Sequence, residues 1–356
     1  MKITKTKFER MQRLSDDSGV IKAAAMDQRG SLVRRLSSAC EIEENEVTNE
    51  MMEEFKEAIS AELTPYASAI LLDPEWGLPG AKARAEGTGL IMSYEKSSAS
   101  RNYSEIYQHS LPAKIKELMP NWSVRKSIKN GADAIKLLIY YHPDEDELYN
   151  DQKEAMVERI GAECAHHDIP FFLEFLGYGT EGGDWKNDPE LAQQKPDIVR
   201  RSIAEFSRDK YNVDVLKVEI PVNLKFAKGT DAYEGGEEVY DREEVLKHFA
   251  KAAEAAKKPM IYLSAGVDAP QMRESLRLAN DSGADWNGVL CGRATWQNGI
   301  AEYAKNGAGA LRDWLKNGGI DNITKMNAII DKGAKPWYAA YGGRDEIEVI
   351  DSNKSN

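Results

Sequence analysis

The segment that decides the fold lies between residues 132 and 222 and contains three apolar runs: ADAIKLLIYYH (132–142), PFFLEFL (170–176) and VDVLKVEIPV (213–222). Runs of this length and composition are typical of buried strands. The segment QKEAMVERIGAECAHH (152–167) separates the first two runs, and its apolar residues recur every three or four positions, as on one face of a helix. The alternation of strand and helix predicts parallel βαβ units.

Five more apolar runs continue this pattern on both sides of the segment. They are IKAAAMDQ (21–28), ASAILLDPE (67–75), GLIMSYE (89–95), PMIYLSAG (259–266) and WNGVLCGRA (286–294). Further helical patterns cover residues 48–66, 241–258 and 269–283, with Thr48, Asp241 and Asp268 as expected N-caps and Gly283 as an expected C-cap. Eight strands alternating with helices predict an α/β fold, the (β/α)8 TIM barrel. A doubly wound open sheet is the alternative, but no GxGxxG motif follows the first strand to support its dinucleotide-binding form.

The 356 residues (1–356) are predicted to form a single domain. The barrel core is expected over about residues 20–300, with N- and C-terminal helical extensions over residues 1–20 and about 300–356. Residues 177–197 (GYGTEGGDWKNDPELAQQKPD) are rich in glycine and aspartate and follow the fifth strand. We therefore expect a long loop at the carboxyl-terminal face, where barrels carry their active sites.

Composition narrows the choice of partner. The chain has 47 Lys and Arg against 59 Asp and Glu, a net charge of −12, which argues against a nucleic-acid partner. A small anion stays open, because a few local cations can dominate a pocket. Three cysteines are too few for a disulfide framework, and the five histidines form neither HxH nor HExxH, so no metal and no other cofactor is expected. No apolar run is long enough to span a membrane, and a cytoplasmic location is expected.

Charged residues interrupt the apolar runs, and these are the candidates for chemistry. They are Asp27, Lys136, Glu174, Lys217 and Glu219. Because barrel strands are covered on the outside by helices, a charged side chain on a strand must point into the barrel mouth or be buried at a cost. Lys136, Glu174 and Lys217 lie on the fourth, fifth and sixth strands, so the three groups can meet.

Two interpretations of these three residues are open. The first is a structural ion-pair network that stabilises the barrel interior. The second is a Schiff-base lysine with a glutamate as general acid and base. An ordinary lysine has a pKa of about 10.4 and is protonated at neutral pH. Burial and a second nearby cation both lower a lysine pKa, and a mouth with two lysines would supply both effects.

The seventh and eighth runs end in LSAGV (263–267) and LCGRA (290–294), which predict a phosphate site. Backbone N–H groups would bind the anion at Ser264, Gly266 and Gly292, and Arg293 would add a bidentate contact. The alternative is that both glycines are ordinary turn residues. In MDQRG (26–30), Asp27 could orient a lysine and Arg29 could bind a phosphate, or the segment could be a polar turn.

Several longer segments resemble one enzyme family. They are AMDQRGSL (25–32), SAELTPYASAILLDPEWGLP (60–79), YEK (94–96), IKLLIYY (135–141), IPFFLEFL (169–176), DVLKVEIPVNLKF (214–226), IYLSAGV (261–267), WNGVLCGRATW (286–296) and PW (336–337). In this order they resemble the class I tagatose 1,6-bisphosphate aldolases of the bacterial lactose and galactose route, over residues 7 to 337. The regions 97–134 and 177–197 and the tail after residue 337 depart from that pattern.

The resemblance implies metal-independent aldol cleavage of a ketose bisphosphate on a TIM barrel. It gives Lys217 the Schiff-base role and Glu174 the acid–base role, and it places Lys136 and Asp27 in the pocket. Gln28, Ser264 and Arg293 match positions near the substrate and its phosphate. Other readings stay open: fructose 1,6-bisphosphate or sulfofructose 1-phosphate as substrate, a metal-dependent barrel lyase or isomerase, and a metabolite-sensing regulator on the same fold. A homo-oligomer is also left open.

Overall fold

Eight parallel strands close into a barrel in the computed structural model, which describes residues 1–97 and 115–351. The strands are β1 (Ile21–Met26), β2 (Ala69–Leu72), β3 (Gly89–Ser93), β4 (Ala134–Tyr140), β5 (Phe171–Leu176), β6 (Val215–Val218), β7 (Met260–Leu263) and β8 (Gly288–Cys291). Each strand pairs with the next in chain order, and β8 pairs with β1 through Gly288 and Ile21. The predicted barrel is confirmed, with one strand in each predicted run, and the open-sheet alternative is wrong.

Helices lie between the strands and at both ends of the barrel. They are α1 (Lys5–Leu14), α2 (Gly30–Cys40), α3 (Asn49–Leu63), α4 (Leu78–Ala83), α5 (Val124–Lys129), α6 (Glu147–His166), α7 (Pro189–Phe206), α8 (Arg242–Glu254), α9 (Ala269–Asp281), α10 (Arg293–Trp296), α11 (Gly299–Trp314) and α12 (Ile320–Gly333). The predicted N-caps are confirmed, because Thr48, Asp241 and Asp268 each accept a hydrogen bond from the amide three residues ahead. Gly283 follows α9 with a left-handed φ of +69°.

The loop after β5 is shorter than predicted. Helix α7 already begins at Pro189, so the loop covers residues 177–188 and not 177–197. Asp188 caps this helix by accepting hydrogen bonds from the amides of Glu190 and Leu191, and proline suits the first helical position. The second region of departure, 97–134, lies partly outside the described residues, which omit 98–114; its later part contains α5.

Strand alternation divides the barrel into an apolar lower part and a charged upper part. On β4, Ile135, Leu137 and Ile139 face the helices, whereas Ala134 faces the barrel interior. The lower interior is filled by Ile21, Ala23, Ala25, Ala69, Leu71, Ile91, Ala134, Phe172, Val215, Ile261 and Leu290. The same cluster includes Met11 and Leu14 of α1 and also Trp337, so both chain ends cover the amino end of the barrel. The charged residues are thereby directed to the carboxyl end.

The terminal extensions contain the expected helices and one feature that the sequence did not reveal. Residues Lys2–Thr4 and Glu348–Ile350 form two short strands that pair in parallel outside the barrel. Three residues are too few to display a strand period, which explains why they were missed. Helices α11 and α12 pack on α2, α3 and α9. The single domain stays a prediction. Among the described helices, none has the length and apolar character needed to cross a membrane.

Gly288 provides a test of barrel closure. A Cβ atom at this position would lie 1.9 Å from the carbonyl oxygen of Ile21, and φ is +135°. We expect Gly288→Ala to lower the free energy of unfolding by about 3 kcal/mol, because the β8–β1 pair must separate to admit the methyl group. Thermal and urea unfolding measure the loss. The control is Gly87→Ala, where φ is +83° and nothing lies within 4 Å. Its strain alone costs about 1–2 kcal/mol, and equal losses would contradict the steric argument.

Candidate active site

A cavity of about 500 Å³ opens at the carboxyl end of the barrel. Nine of the ten predicted site residues line it: Asp27, Gln28, Arg29, Lys136, Glu174, Lys217, Ser264, Gly292 and Arg293. These residues are far apart in the sequence and meet because parallel strands all end at the same face. The side chain of Lys136 is 1% exposed and that of Lys217 is 5% exposed, so their ammonium groups lie at the bottom of the cavity.

Lys136 is the centre of a buried ion-pair network. Its Nζ lies 2.9 Å from Oδ2 of Asp27, 2.8 Å from Oε1 of Glu95 and 2.8 Å from Oε2 of Glu174. The same oxygen of Glu174 lies 2.8 Å from Nζ of Lys217. Strand register produces this arrangement. Glu174 is directly opposite Lys217 on β6. On β4 it is opposite Leu138, which is two residues, and so one interior position, beyond Lys136. The predicted meeting of the two lysines with Glu174 is confirmed.

The charges in this network fix one another. Burial alone would lower the pKa of Lys136, but the carboxylates of Asp27, Glu174 and Glu95 raise it well above its ordinary value. Burial alone would raise the pKa of Asp27 and of Glu174, but Lys136 and Lys217 lower both. Lys136 is therefore a permanent cation at neutral pH, and Asp27 and Glu174 are carboxylates.

Glu95 belongs to the site and was not among the predicted residues. It follows β3 and continues the interior positions of Ile91 and Ser93, so period-two counting to the last residue of the run 89–95 could have found it. Its Oε1 binds Lys136, and its Oε2 accepts the amide of Leu138 at 3.0 Å. Both carboxylate oxygens therefore have partners on β4.

Arg29 binds the backbone of Glu95. Its Nη2 donates to the carbonyl oxygen of Glu95 at 2.6 Å, and its Nη1 lies 3.4 Å from the sulfur of Met119. The guanidinium group is buried. Both terminal nitrogens therefore have partners in the protein, whereas the buried Nε makes no hydrogen bond to the described residues. The phosphate contact from Arg29 stays a prediction.

The two predicted glycines near β7 and β8 lie in tight contact with neighbouring atoms, which leaves no room for a side chain. Gly266 lies behind Arg293 and does not line the cavity: a Cβ atom there would come within 2.5 Å of the guanidinium carbon, and φ is +85°. Gly292 lines the cavity, and a Cβ atom there would lie 2.7 Å from the carbonyl oxygen of Ala25. Both positions require glycine for packing, as in the turn interpretation. The absence of a side chain at Gly266 leaves room for the guanidinium group of Arg293.

The loop after β5 reaches over the cavity and contributes residues that the sequence did not single out. Trp185 Nε1 donates to Oε1 of Glu219 at 3.2 Å, and Lys186 Nζ donates to the carbonyl oxygen of Ala265 at 3.0 Å. Burial, and then the charge of Arg293, lower the pKa of Lys186. Lys186 and Arg293 therefore form a pair of cations on the β7–β8 side of the mouth.

A further cation lies on the other side of the mouth. Lys116 lines the cavity, and its Nζ lies 5.4 Å from the centre of the Tyr140 ring on β4. Burial is the main reason why its pKa is lowered. In a closed eight-stranded barrel, β4 and β8 are four strands apart and face each other. The cavity therefore has cations at two opposite rims, and the buried network lies between them.

The barrel and its lysine-containing cavity agree with the family that comparison with known proteins identifies. A family model described as DeoC/LacD family aldolase matches residues 21–298, and the chain belongs to this family. This membership confirms the resemblance predicted from the sequence motifs.

Several relatives cover nearly the whole chain. It is 45% identical over 351 residues to the tagatose 1,6-diphosphate aldolase of Listeria innocua, with 99% of each chain covered. It is 44% identical over 337 residues to tagatose 1,6-diphosphate aldolase 2 of Enterococcus faecalis, covering 95% of this chain and 97% of the relative. A solved fructose-bisphosphate aldolase from Plasmodium falciparum aligns with a TM-score of 0.65 and 13% identity over 92% of this chain and 96% of that chain, a likeness of fold alone.

Removal of the Lys136 charge tests the buried network. We expect Lys136→Met to lower the free energy of unfolding by about 3–5 kcal/mol at pH 8, because it removes the one cation that three buried carboxylates share. Wild-type Asp27 and Glu174 have lowered pKa values, so their stabilisation is complete above a pH of about 4 and is lost below it. In the variant these carboxylates can take up protons as the pH falls. The stability difference should therefore shrink from pH 8 to pH 5, as measured by urea unfolding.

Lys325→Met is the control for this measurement. Lys325 forms an exposed ion pair with Asp321 one turn away on α12. Its removal should cost less than about 1 kcal/mol, with little change between pH 8 and pH 5. A Lys136→Met difference that stays constant over this range would contradict the charge argument.

Proposed function

We propose that the protein is a class I aldolase that cleaves D-tagatose 1,6-bisphosphate to dihydroxyacetone phosphate and glyceraldehyde 3-phosphate. The observation that carries the proposal is the Lys217–Glu174 pair, 2.8 Å apart in a cavity lined by further cations. A structural network alone would not require an open cavity beside the lysine. The names of the relatives supply the sugar. The cytoplasmic location and a homo-oligomeric state stay predictions.

The first half of the reaction forms the Schiff base. Lys217 loses a proton to Oε2 of Glu174, 2.8 Å away, and its nitrogen attacks the C2 carbonyl of the ketose. The attacking nitrogen then gives up a proton to the new alkoxide oxygen, which forms the neutral carbinolamine. Glu174 returns the proton to the carbinolamine hydroxyl, which leaves as water and gives the iminium ion. Lys136 touches the same carboxylate oxygen and stays protonated, so it stabilises the negative charge that Glu174 regains.

The second half breaks the carbon–carbon bond. Glu174, again a carboxylate, accepts the proton of the C4 hydroxyl, and the electrons of the C3–C4 bond move into the iminium ion. Glyceraldehyde 3-phosphate leaves, and an enamine remains on Lys217. Protonation of the enamine at C3 and addition of water release dihydroxyacetone phosphate and the free lysine. Asp27, which is fixed to Lys136, is available to bind a substrate hydroxyl group.

The two rims of the cavity suit the two phosphate groups. Arg293 and Lys186 lie beside Ser264 on the β7–β8 side, and Lys116 lies on the β4 side. Burial lowers the pKa of Arg293 and of Lys186, and the charge of the neighbouring Arg35 lowers both further. Repulsion by Arg293 also lowers the pKa of Lys186. A bound phosphate dianion would relieve this repulsion. Lys217 lies on β6, between the two rims.

Covalent trapping tests the proposed nucleophile. Dihydroxyacetone phosphate and borohydride should inactivate the wild-type enzyme and add the reduced triose phosphate to Lys217, as located by peptide mass spectrometry. Lys217→Met should show no adduct and no measurable cleavage. Lys136 and Lys186 line the same cavity and serve as internal controls that stay unlabelled. An active enzyme with the label on another lysine would overturn the assignment.

The sugar is tested separately from the nucleophile. Cleavage rates for tagatose 1,6-bisphosphate, fructose 1,6-bisphosphate and sulfofructose 1-phosphate should be highest for the tagatose substrate. A higher kcat/KM for another ketose would change the assigned substrate and leave the proposed Schiff-base chemistry intact. Activity lost on chelation and restored by a divalent metal would favour a metal-dependent lyase, and trapping without turnover would favour a regulator.

Lys186 tests the proposed phosphate rim. Lys186→Met should raise KM for the bisphosphate about 10-fold or more and change kcat less, because the lost contact binds the ground state and the transition state alike. Steady-state kinetics measure both constants. The control is Lys225→Met, since Lys225 binds Asn187 of the same loop but lies outside the cavity. An unchanged KM for Lys186→Met, or an equal rise in the control, would contradict this role.

A further inference from the structure

A second buried ion pair lies directly behind the end of β1. Lys56 of α3 and Asp73, the residue after β2, form it, and neither side chain is exposed. The ammonium group of Lys56 also donates to the carbonyl oxygens of Met26 at 3.1 Å and Gln28 at 2.8 Å. These two carbonyls flank Asp27, whose carboxylate binds Lys136.

The end of β1 needs such a partner because its strand pairing stops there. The β1–β2 pairing ends at Met26, so the residues that follow have no partner strand on that side. Trp296 Nε1 donates to the carbonyl oxygen of Ala25 at 2.9 Å, and Lys56 donates to the carbonyl oxygens of Met26 and Gln28. Side chains from outside the barrel therefore hold the backbone on both sides of Asp27.

We infer that Lys56 is a positioning residue, which holds the backbone around Asp27 so that the Asp27 carboxylate meets Lys136 and the substrate. This inference rests on the proposed role of Asp27 in the site. The path runs from Asp73 through Lys56 to the carbonyls of Met26 and Gln28, and from Asp27 to Lys136. Lys56 itself does not line the cavity.

The chemistry of the pair favours positioning over simple stability. Two charges removed completely from water are seldom the most stabilising choice, and apolar residues of similar volume often do as well or better. An ammonium group, however, can bind a carboxylate and two carbonyls at once. Asp73 is itself fixed, because its Oδ1 accepts the amides of Glu75 at 3.0 Å and Trp76 at 2.9 Å. Lys56 is thereby held by the turn after β2.

A double-mutant cycle tests this inference. Lys56→Met should lower kcat about 10- to 100-fold in the wild-type background, because small misplacements of a group that orients the substrate have effects of this size. In an Asp27→Asn background, the same substitution should lower kcat by less than about 3-fold, since the group it positions is already lost. Equal losses in the two backgrounds would overturn the inference and leave the proposed function standing. No loss from Asp27→Asn alone would instead refute the proposed role of Asp27.

Two further variants separate positioning from unfolding. Asp73→Asn keeps the Oδ1 acceptor for the turn but places an amide N–H₂ against Lys56. In the same double-mutant cycle with Asp27→Asn, it should show the same pattern as Lys56→Met with a smaller loss of kcat. It carries the test if Lys56→Met does not fold. Lys7→Met is the matched control, because Lys7 binds Asp214, 3.0 Å away, and this carboxylate in turn holds the amide of Phe171 at the amino end of β5. It should lose thermal stability and keep kcat within about 2-fold of wild type, and a 10-fold loss of kcat there would overturn the inference.

Discussion

The contact on which the site depends is the ammonium group of Lys136, which binds three carboxylates from three different segments at distances of 2.8 to 2.9 Å. Each of these carboxylates would be costly to bury alone, and one cation in their midst makes their burial possible. Lys217 and Arg29 add two more cations, on Glu174 and Glu95. The network thus holds three positive and three negative groups and is close to neutral, although almost none of it reaches water. Its geometry is fixed because no member can move without losing a partner of opposite charge.

The barrel produces this arrangement by strand register. On each strand every second residue faces inward, and the closed parallel pairing sets the height of each inward residue relative to its neighbours. The inward residues near the amino ends are small or apolar, which fills the narrow lower part of the barrel. Two residues further along β1, β4, β5 and β6, the next inward position carries a charged side chain: Asp27, Lys136, Glu174 and Lys217. Lys136 lies one interior position below Glu174, so it can support the carboxylate from beneath and leave the opposite side open to Lys217 and to a substrate.

Much of this could be predicted from the sequence, and the failures have physical reasons. The eight strands were predictable because each is a continuous apolar run, and Lys136, Glu174 and Lys217 were visible because a charge interrupts such a run. Glu95 was missed because it is the last residue of its run (89–95) and follows the apolar residues instead of interrupting them, so only the period-two rule could indicate it. Lys56 was missed because it occupies a helix, where a lysine is ordinarily solvated. Its burial depends on Asp73, a partner 17 residues away in the turn after β2, which only the tertiary structure brings near.

The neutrality of the network also bears on the proposed binding of a doubly phosphorylated sugar by a protein with a net charge of −12. The reacting centre has no excess positive charge to attract phosphate, because its cations are already paired. Phosphate recognition must therefore come from other cations, and Lys116, Lys186 and Arg293 lie at the rims and not in the network. Separation of the two tasks has a chemical advantage. A phosphate bound directly to Lys136 would compete with Glu174 for the cation that keeps this carboxylate ionised, whereas cations at the rims hold the sugar across Lys217 and leave the proton balance of the centre unchanged.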